Sequence, residues 1–89
     1  MNKKINPDKY LRLNNGIIIK SISELPVAIS QMNNSTFLSY VDIHKNDFSK
    51  WIYEAFNEVE LSSLLGNIKS KNDTIRLVII FERYNYTST

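Results

Sequence analysis

The chain has 89 residues, 43% hydrophobic and 22% charged, a composition that fits one globular domain and excludes a multi-domain design. It carries no cysteine and one histidine, which removes a disulfide framework, a thiolate nucleophile and any metal site built on Cys and His alone. The formal net charge of +2 is too small to announce a nucleic-acid protein, but it is unevenly placed: Lys3, Lys4, Lys9, Arg12 and Lys20 stand against Asp8 in residues 1–20, while Asp42, Asp47, Glu54, Glu58 and Glu60 outnumber Lys45 and Lys50 in residues 41–60.

In chain order, residues 1–9 are polar and basic, contain Pro7 and few anchors, and read as a flexible basic tail, with residues 10–89 as the single globular domain. Tyr10-Leu11-Arg12-Leu13 and Ile17-Ile18-Ile19 are β-prone runs on either side of Asn14-Asn15-Gly16, whose residue types tolerate the positive φ of a hairpin turn. A two-stranded ribbon is marginal by itself in water, so it must lie on an apolar surface supplied by the rest of the chain.

Ser21-Ile22-Ser23-Glu24 has the spacing of a capping box, and Leu25, Ala28, Ile29 and Met32 follow at helical intervals, predicting a first helix of about ten residues. Pro26 favours Ser23 as the effective cap, because from there the proline falls inside the first turn. Asn33-Asn34-Ser35 is a second start signal, before Phe37, Leu38, Tyr40 and Val41. The polar run Asp42 to Asn46 interrupts. Asn46 then predicts an N-cap, Asp47 complements the helix dipole, and Phe48, Trp51, Ile52, Ala55 and Phe56 recur at i, i+3, i+4, i+7 and i+8, the strongest periodicity in the chain. Asn57 is expected to cap a further helix through Leu61, Leu64 and Leu65 toward Ile68, with Gly66 near its end.

From Asp73 onward the signals conflict. Ile75, Leu77, Ile79 and Phe81 alternate and propensity favours a strand, whereas Asp73 is a competent N-cap and nearly everything before it builds helices.

The runs Gly16 to Leu25 and Asn46-Asp47-Phe48-Ser49-Lys50-Trp51-Ile52, with Met32, Phe37, Phe56 and Leu61 in register, resemble a small, largely archaeal, prokaryotic family of domains of unknown function with the signature Asn-Asp-Phe, two residues, Trp-Ile. The resemblance spans residues 10–68. In that family Phe, two residues, His-Val often precedes the signature; here Phe37 and Val41 match, Tyr40 stands at the histidine position, and His44 lies four residues further along. Members continue with another helix, so the resemblance implies that Asp73 to Tyr84 is helical, with a strand over 73–86 as the alternative.

The predicted architecture is therefore mainly α: a small helical domain with an N-terminal β-hairpin on four or five short helices. Its expected core is Leu25, Ile29, Phe37, Val41, Phe48, Trp51, Ile52, Phe56, Leu61, Leu64 and Leu65. A chain this short buries about 60–65% of its unfolded surface, so each of these residues is needed for stability.

Candidate sites follow from residue types. His44 has the chemistry of a general base, but Asp42 and Asp47 are not at a recognised catalytic spacing from it. Asp42, Asp47 and Glu54 lack the alternate spacing and glycine of a calcium loop, so neither a metal nor a cofactor is expected. Asn46, Asp47 and Trp51 are the candidate partner-binding residues, a groove edge at which the indole acts as an anchor. A second candidate surface combines Tyr10, Tyr40, Tyr53, Tyr84 and Tyr86 with Lys3, Lys4, Lys9, Arg12, Lys20, Arg76 and Arg83 for single-stranded nucleic acid. A helix-turn-helix over residues 48–66 would present Glu54, Glu58 and Glu60 to phosphate and is disfavoured.

No stretch reaches the roughly 18 apolar residues of a membrane span, the longest apolar run being Leu77 to Phe81, so no membrane contact is expected. Lys3 and Lys4 are followed by Ile5, Asn6, Pro7 and Asp8 where a signal peptide would place an apolar run, so a cytoplasmic location is expected. The expected function is a non-enzymatic accessory module that recruits a protein partner; the alternative is a nucleic-acid- or ribosome-associated protein.

Overall fold

A computed structural model describes residues 4–87, with side chains as far as Tyr84. These residues form one two-stranded antiparallel hairpin and five α-helices, the mainly helical architecture that the periodicities predict.

The hairpin pairs β1 (Leu11–Arg12) with β2 (Ile18–Ile19), Leu11 opposite Ile19 and Arg12 opposite Ile18. The Leu13 amide donates to the Ile17 carbonyl at 2.9 Å, and the three residues between them end on Gly16 at φ 89°. This is the three-residue hairpin loop that requires a left-handed last residue, which glycine adopts without a Cβ clash. The ribbon lies on the helical body as expected, with Leu13 and Ile19 in the core. It is also tied there, because the Asn14 amide donates to the Tyr40 hydroxyl at 2.8 Å.

A 3-10 turn over Ile22–Glu24 leads into α1 (Leu25–Ser30), which is shorter than the ten residues expected. The capping box does not close. Ser21 Oγ pairs with Ser23 Oγ, and Glu24 Oε1 reaches past Ser21 to accept from the Lys20 amide at 2.9 Å. Ser23 does not cap either: the helix starts after Glu24 with no side-chain cap, and Pro26 sits in its first turn, where a missing N–H costs nothing. Helix α2 (Asn34–Tyr40) begins as predicted, with Asn33 Oδ1 accepting from the Thr36 amide at 2.8 Å.

Helix α3 (Asp47–Phe56) carries the expected apolar face: Phe48, Trp51, Ile52 and Phe56 are all buried. Phe48 lies between Phe37 and Tyr40, at ring-centroid distances of 6.0 and 5.5 Å, and Trp51 meets Phe56 edge-on at 5.2 Å. Asn57 does not cap the next helix. It ends α3 at φ 55°, donating its amide to the Tyr53 carbonyl, a left-handed stop that asparagine tolerates better than most residues. Helix α4 (Val59–Gly66) therefore starts from Glu58 without a side-chain cap. Its buried pair is Leu61 and Leu65; Leu64, expected in the core, turns outward and is 46% exposed.

The C-terminal segment is helix α5 (Lys71–Thr87), longer than the helix expected from Asp73 to Tyr84. The cap is Ser70, whose Oγ accepts from the Asp73 amide at 3.3 Å, so Asp73 lies inside the first turn rather than at the cap. Thr74 and Val78, four residues apart, are fully buried while Arg76 between them is exposed, a helical pattern, since along a strand all three would share one face. The buried Thr74 hydroxyl is satisfied by the Ser70 carbonyl at 2.8 Å. The most extensive helix pairings are α3 on α4 and α1 on α5.

Candidate functional site

Of the residues read from sequence as a partner-binding edge, Asn46 and Trp51 are hydrogen-bonded within the fold and Asp47 lies in a surface ion pair. Asn46 is the N-cap of α3, its Oδ1 accepting from the Ser49 amide at 3.0 Å. Its Nδ2 donates to the Leu65 carbonyl at 2.9 Å and the Ile68 carbonyl at 3.4 Å. Both ends of the amide are thus engaged, Oδ1 within α3 and Nδ2 in joining the start of α3 to the end of α4, a structural use that leaves little for a ligand. Asp47 is paired with Lys45 at 3.1 Å on the surface, an exposed ion pair that contributes at most about 1 kcal/mol. Trp51 is 7% exposed, and its Nε1 donates to the Lys9 carbonyl at 2.7 Å. Trp51 lines a shallow cleft with Asp8, Tyr10 and Glu54, in which neither Asn46 nor Asp47 takes part.

That indole bond also changes the picture of the N-terminal segment. Residues 7–9 form a 3-10 turn, Ile5 packs against the core, and Lys9 is anchored to α3, so the globular body takes in part of the stretch expected as a tail.

The basic and aromatic candidates are dispersed. Lys4 and Lys9 are exposed near the N-terminus, Arg12 and Lys20 are exposed on and beside the hairpin, and Arg76 and Arg83 are exposed on α5. Lys20 Nζ lies 5.8 Å from the centre of the Tyr10 ring. Tyr40 is buried in the core and is removed from any stacking surface; Tyr53 and Tyr84 are exposed on different helices. Lys3 lies outside the described residues, as does the side chain of Tyr86.

His44 sits in the loop between α2 and α3. Asp42 Oδ1 accepts from the backbone amides of His44 at 2.7 Å and Lys45 at 3.0 Å, and the Asp42 amide donates to the Lys45 carbonyl. These bonds, led by the one from His44, hold the Asp42 carboxyl below the usual carboxylate range. The aspartate thus organises the loop backbone rather than orienting the imidazole. Among the described residues no group of three His, Cys, Asp or Glu side chains is placed to hold a metal ion.

A surface that sequence reasoning missed lies between β2 and α1. Ile17, Ile18 and Ile19 form one wall and Val27 and Ala28 the other, enclosing an open groove of about 380 Å³. Val27 is 63% exposed and Ile18 is exposed as well. Leu13–Ile17 is a hydrogen-bonded pair, so by alternation Arg12–Ile18 is not, and the Ile18 amide and carbonyl point away from β1 toward the open edge of the ribbon. The sequence signal was the run of three isoleucines, one more than a short ribbon with one buried face can hide.

Comparison of the chain with protein-family models, curated proteins and solved structures finds no match. Among the described residues no helix is long and apolar enough to cross a membrane.

Proposed function

We propose that this protein is a non-enzymatic accessory module that recruits a protein partner, and that the partner supplies an extended segment to the groove between β2 and α1. The observation that supports this reading is the combination, at one place, of apolar walls with a strand edge whose amide and carbonyl at Ile18 point outward. Edge pairing gives affinity through the main chain, and pockets beside the edge select side chains. The groove is preferred to the Asn46, Asp47 and Trp51 edge as the docking region, since Asn46 and Trp51 are hydrogen-bonded within the fold.

The test is affinity capture from extracts of the source cells with the wild-type chain and with Val27→Asp, a substitution at an exposed position. Partners that bind the wild type and are lost from Val27→Asp, with helical content unchanged, are expected. An identical set on both chains, or none on either, overturns the reading.

A further inference from the structure

The groove between β2 and α1 is apolar except at one end. Of the residues that line it only Glu24 is charged; Ser23 and Gln31 are neutral and the rest are aliphatic. Glu24 is exposed, and its Oε1 accepts from the Lys20 amide at 2.9 Å. By the alternation that turns the Ile18 amide outward, the Lys20 amide also points to the open edge of the ribbon, so the carboxylate sits where the carbonyl of an added strand would sit. Pairing along β2 stops there, with the amide and carbonyl of Ile18 still open. Among the described residues the second oxygen of Glu24 accepts no hydrogen bond, and no Lys or Arg forms an ion pair with the carboxylate. Lys20 instead places its Nζ 5.8 Å from the centre of the Tyr10 ring. Arg12 lies opposite Ile18, and Lys20 is two residues beyond Ile18, so both cations stand on the outer face of the ribbon and neither lines the groove.

We infer that Glu24 determines the specificity of this groove, and that the partner segment it selects is a short aliphatic strand with one lysine or arginine at the end beside Glu24. The inference rests on the reading of the groove as a docking site for an extended segment and adds the chemistry of that segment. Side chains of an added strand alternate between the outer face, shared with Ile18, Arg12 and Lys20, and the inner face, turned toward α1. Glu24 immediately precedes α1, so it is met from the inner face. A cation at the inward position nearest Lys20 can lay its aliphatic stem along the apolar wall and bring its charge to the free oxygen of Glu24. An acidic residue there is repelled, and a basic residue at an outer position meets Arg12 and Lys20 instead. A second copy of this chain is a poorer occupant: antiparallel pairing of two β2 strands about Ile18 sets Gly16 of one copy opposite Lys20 of the other and brings no cation to Glu24. Nucleic acid is disfavoured because the one charge that lines the groove has the sign of phosphate.

Selection of a phage-displayed library of random linear peptides on the full chain tests it, with Val27→Asp as the control that identifies groove binders. Peptides held by the wild type and lost on Val27→Asp are expected to combine β-branched aliphatic residues with a lysine or arginine at one end. A synthetic peptide from that set is expected to bind about two- to fivefold more weakly to Glu24→Gln, which keeps an oxygen for the Lys20 amide but no charge, and with a smaller dependence on salt. Selection on Glu24→Lys is expected to return an acidic residue in place of the basic one. Groove-dependent peptides without a basic end, or the same residues on Glu24→Lys as on the wild type, overturn the inference and leave the groove as a docking site. Absence of any Val27-dependent peptide overturns the reading of the groove and the inference with it. If Glu24→Lys loses helicity, Glu24→Gln decides alone: a basic-ended peptide that binds it as tightly as the wild type overturns the inference.

Discussion

The α3–α4 pair and the α1–α5 pair are built on different principles. Between α3 and α4, polar side chains clasp the backbones: Ser49 Oγ donates to the Ser62 carbonyl at 2.6 Å, Ser62 Oγ returns the bond to the Ser49 carbonyl at 2.8 Å, and Asn46 reaches from the α3 cap to the Leu65 carbonyl. Each bond has a defined direction, so the pair has one register. Between α1 and α5, Lys71 Nζ at the start of α5 donates to the Met32 carbonyl just past α1, α5 buries Val78 and Thr74, and the apolar surface of α5 continues around to its solvent side. Directional bonds fix one arrangement, whereas an apolar helix surface accepts many neighbours. The first region is therefore where the fold is specified, and the second is where surface remains available for association.

Four measurements break or sharpen that contrast. Phe48→Ala empties a fully buried site between Phe37 and Tyr40 and is expected to cost about 3–5 kcal/mol in urea unfolding, a large fraction of the stability of so small a domain. Asn46→Ala removes the α3 cap and the side-chain bond to the Leu65 carbonyl, which keeps the Ile68 amide; a loss of about 1–2 kcal/mol is expected, with the unfolding slope unchanged. Ile80→Ala, on the open side of α5, is expected to stay within about 0.5 kcal/mol of the wild type under dilute conditions. A larger loss there would mean that the outer face of α5 contributes to the monomer, and the contrast between the two regions would fail.

The smallest effect concerns pH. Asp42 has a folded-state pKa below its unfolded value, so its contribution is present above the ordinary carboxylate range and is lost as pH falls through the lowered folded value. Asp42→Asn keeps an oxygen for the His44 and Lys45 amides but no longer titrates. Urea midpoints measured from neutral pH into the acid range should therefore fall slightly less steeply for the variant; identical slopes would mean that the loop bonds do not favour the ionised carboxylate.

Much of the first region was legible in the sequence because its signals are local and agree. The i, i+3, i+4 run from Phe48 to Phe56 and the Asn46 cap each prescribe the same helix, and Asn33 and Gly16 act as their residue types imply. The failures arise where one residue type serves two uses. Asparagine caps helix starts and also tolerates left-handed stops, and at Asn57 the second use prevails. Leu64 and Leu65 lie at i+3 and i+4 from Leu61, the spacing that buries both Trp51 and Ile52 in α3, but the covered side of α4 is narrower and takes in only Leu65 with Leu61. In α5 the β-branched run matches strand propensity, but packing against α1 decides the outcome, and that contact is invisible in the local sequence. Asn46 and Trp51, read from sequence as part of a docking edge, show a related ambiguity. A side chain suited to recognition is equally suited to closing a fold, and the hydrogen bonds from Asn46 to α4 and from Trp51 to Lys9 span 19 and 42 residues.

The indole of Trp51 gives the molecule a built-in optical reporter. It is the only tryptophan, it is shielded from water, and its nitrogen holds the chain entering the hairpin against the third helix. Any ligand or neighbour that pries that entering strand away must change the emission of this one chromophore, so occupancy of that seam can be followed in solution without attaching a dye.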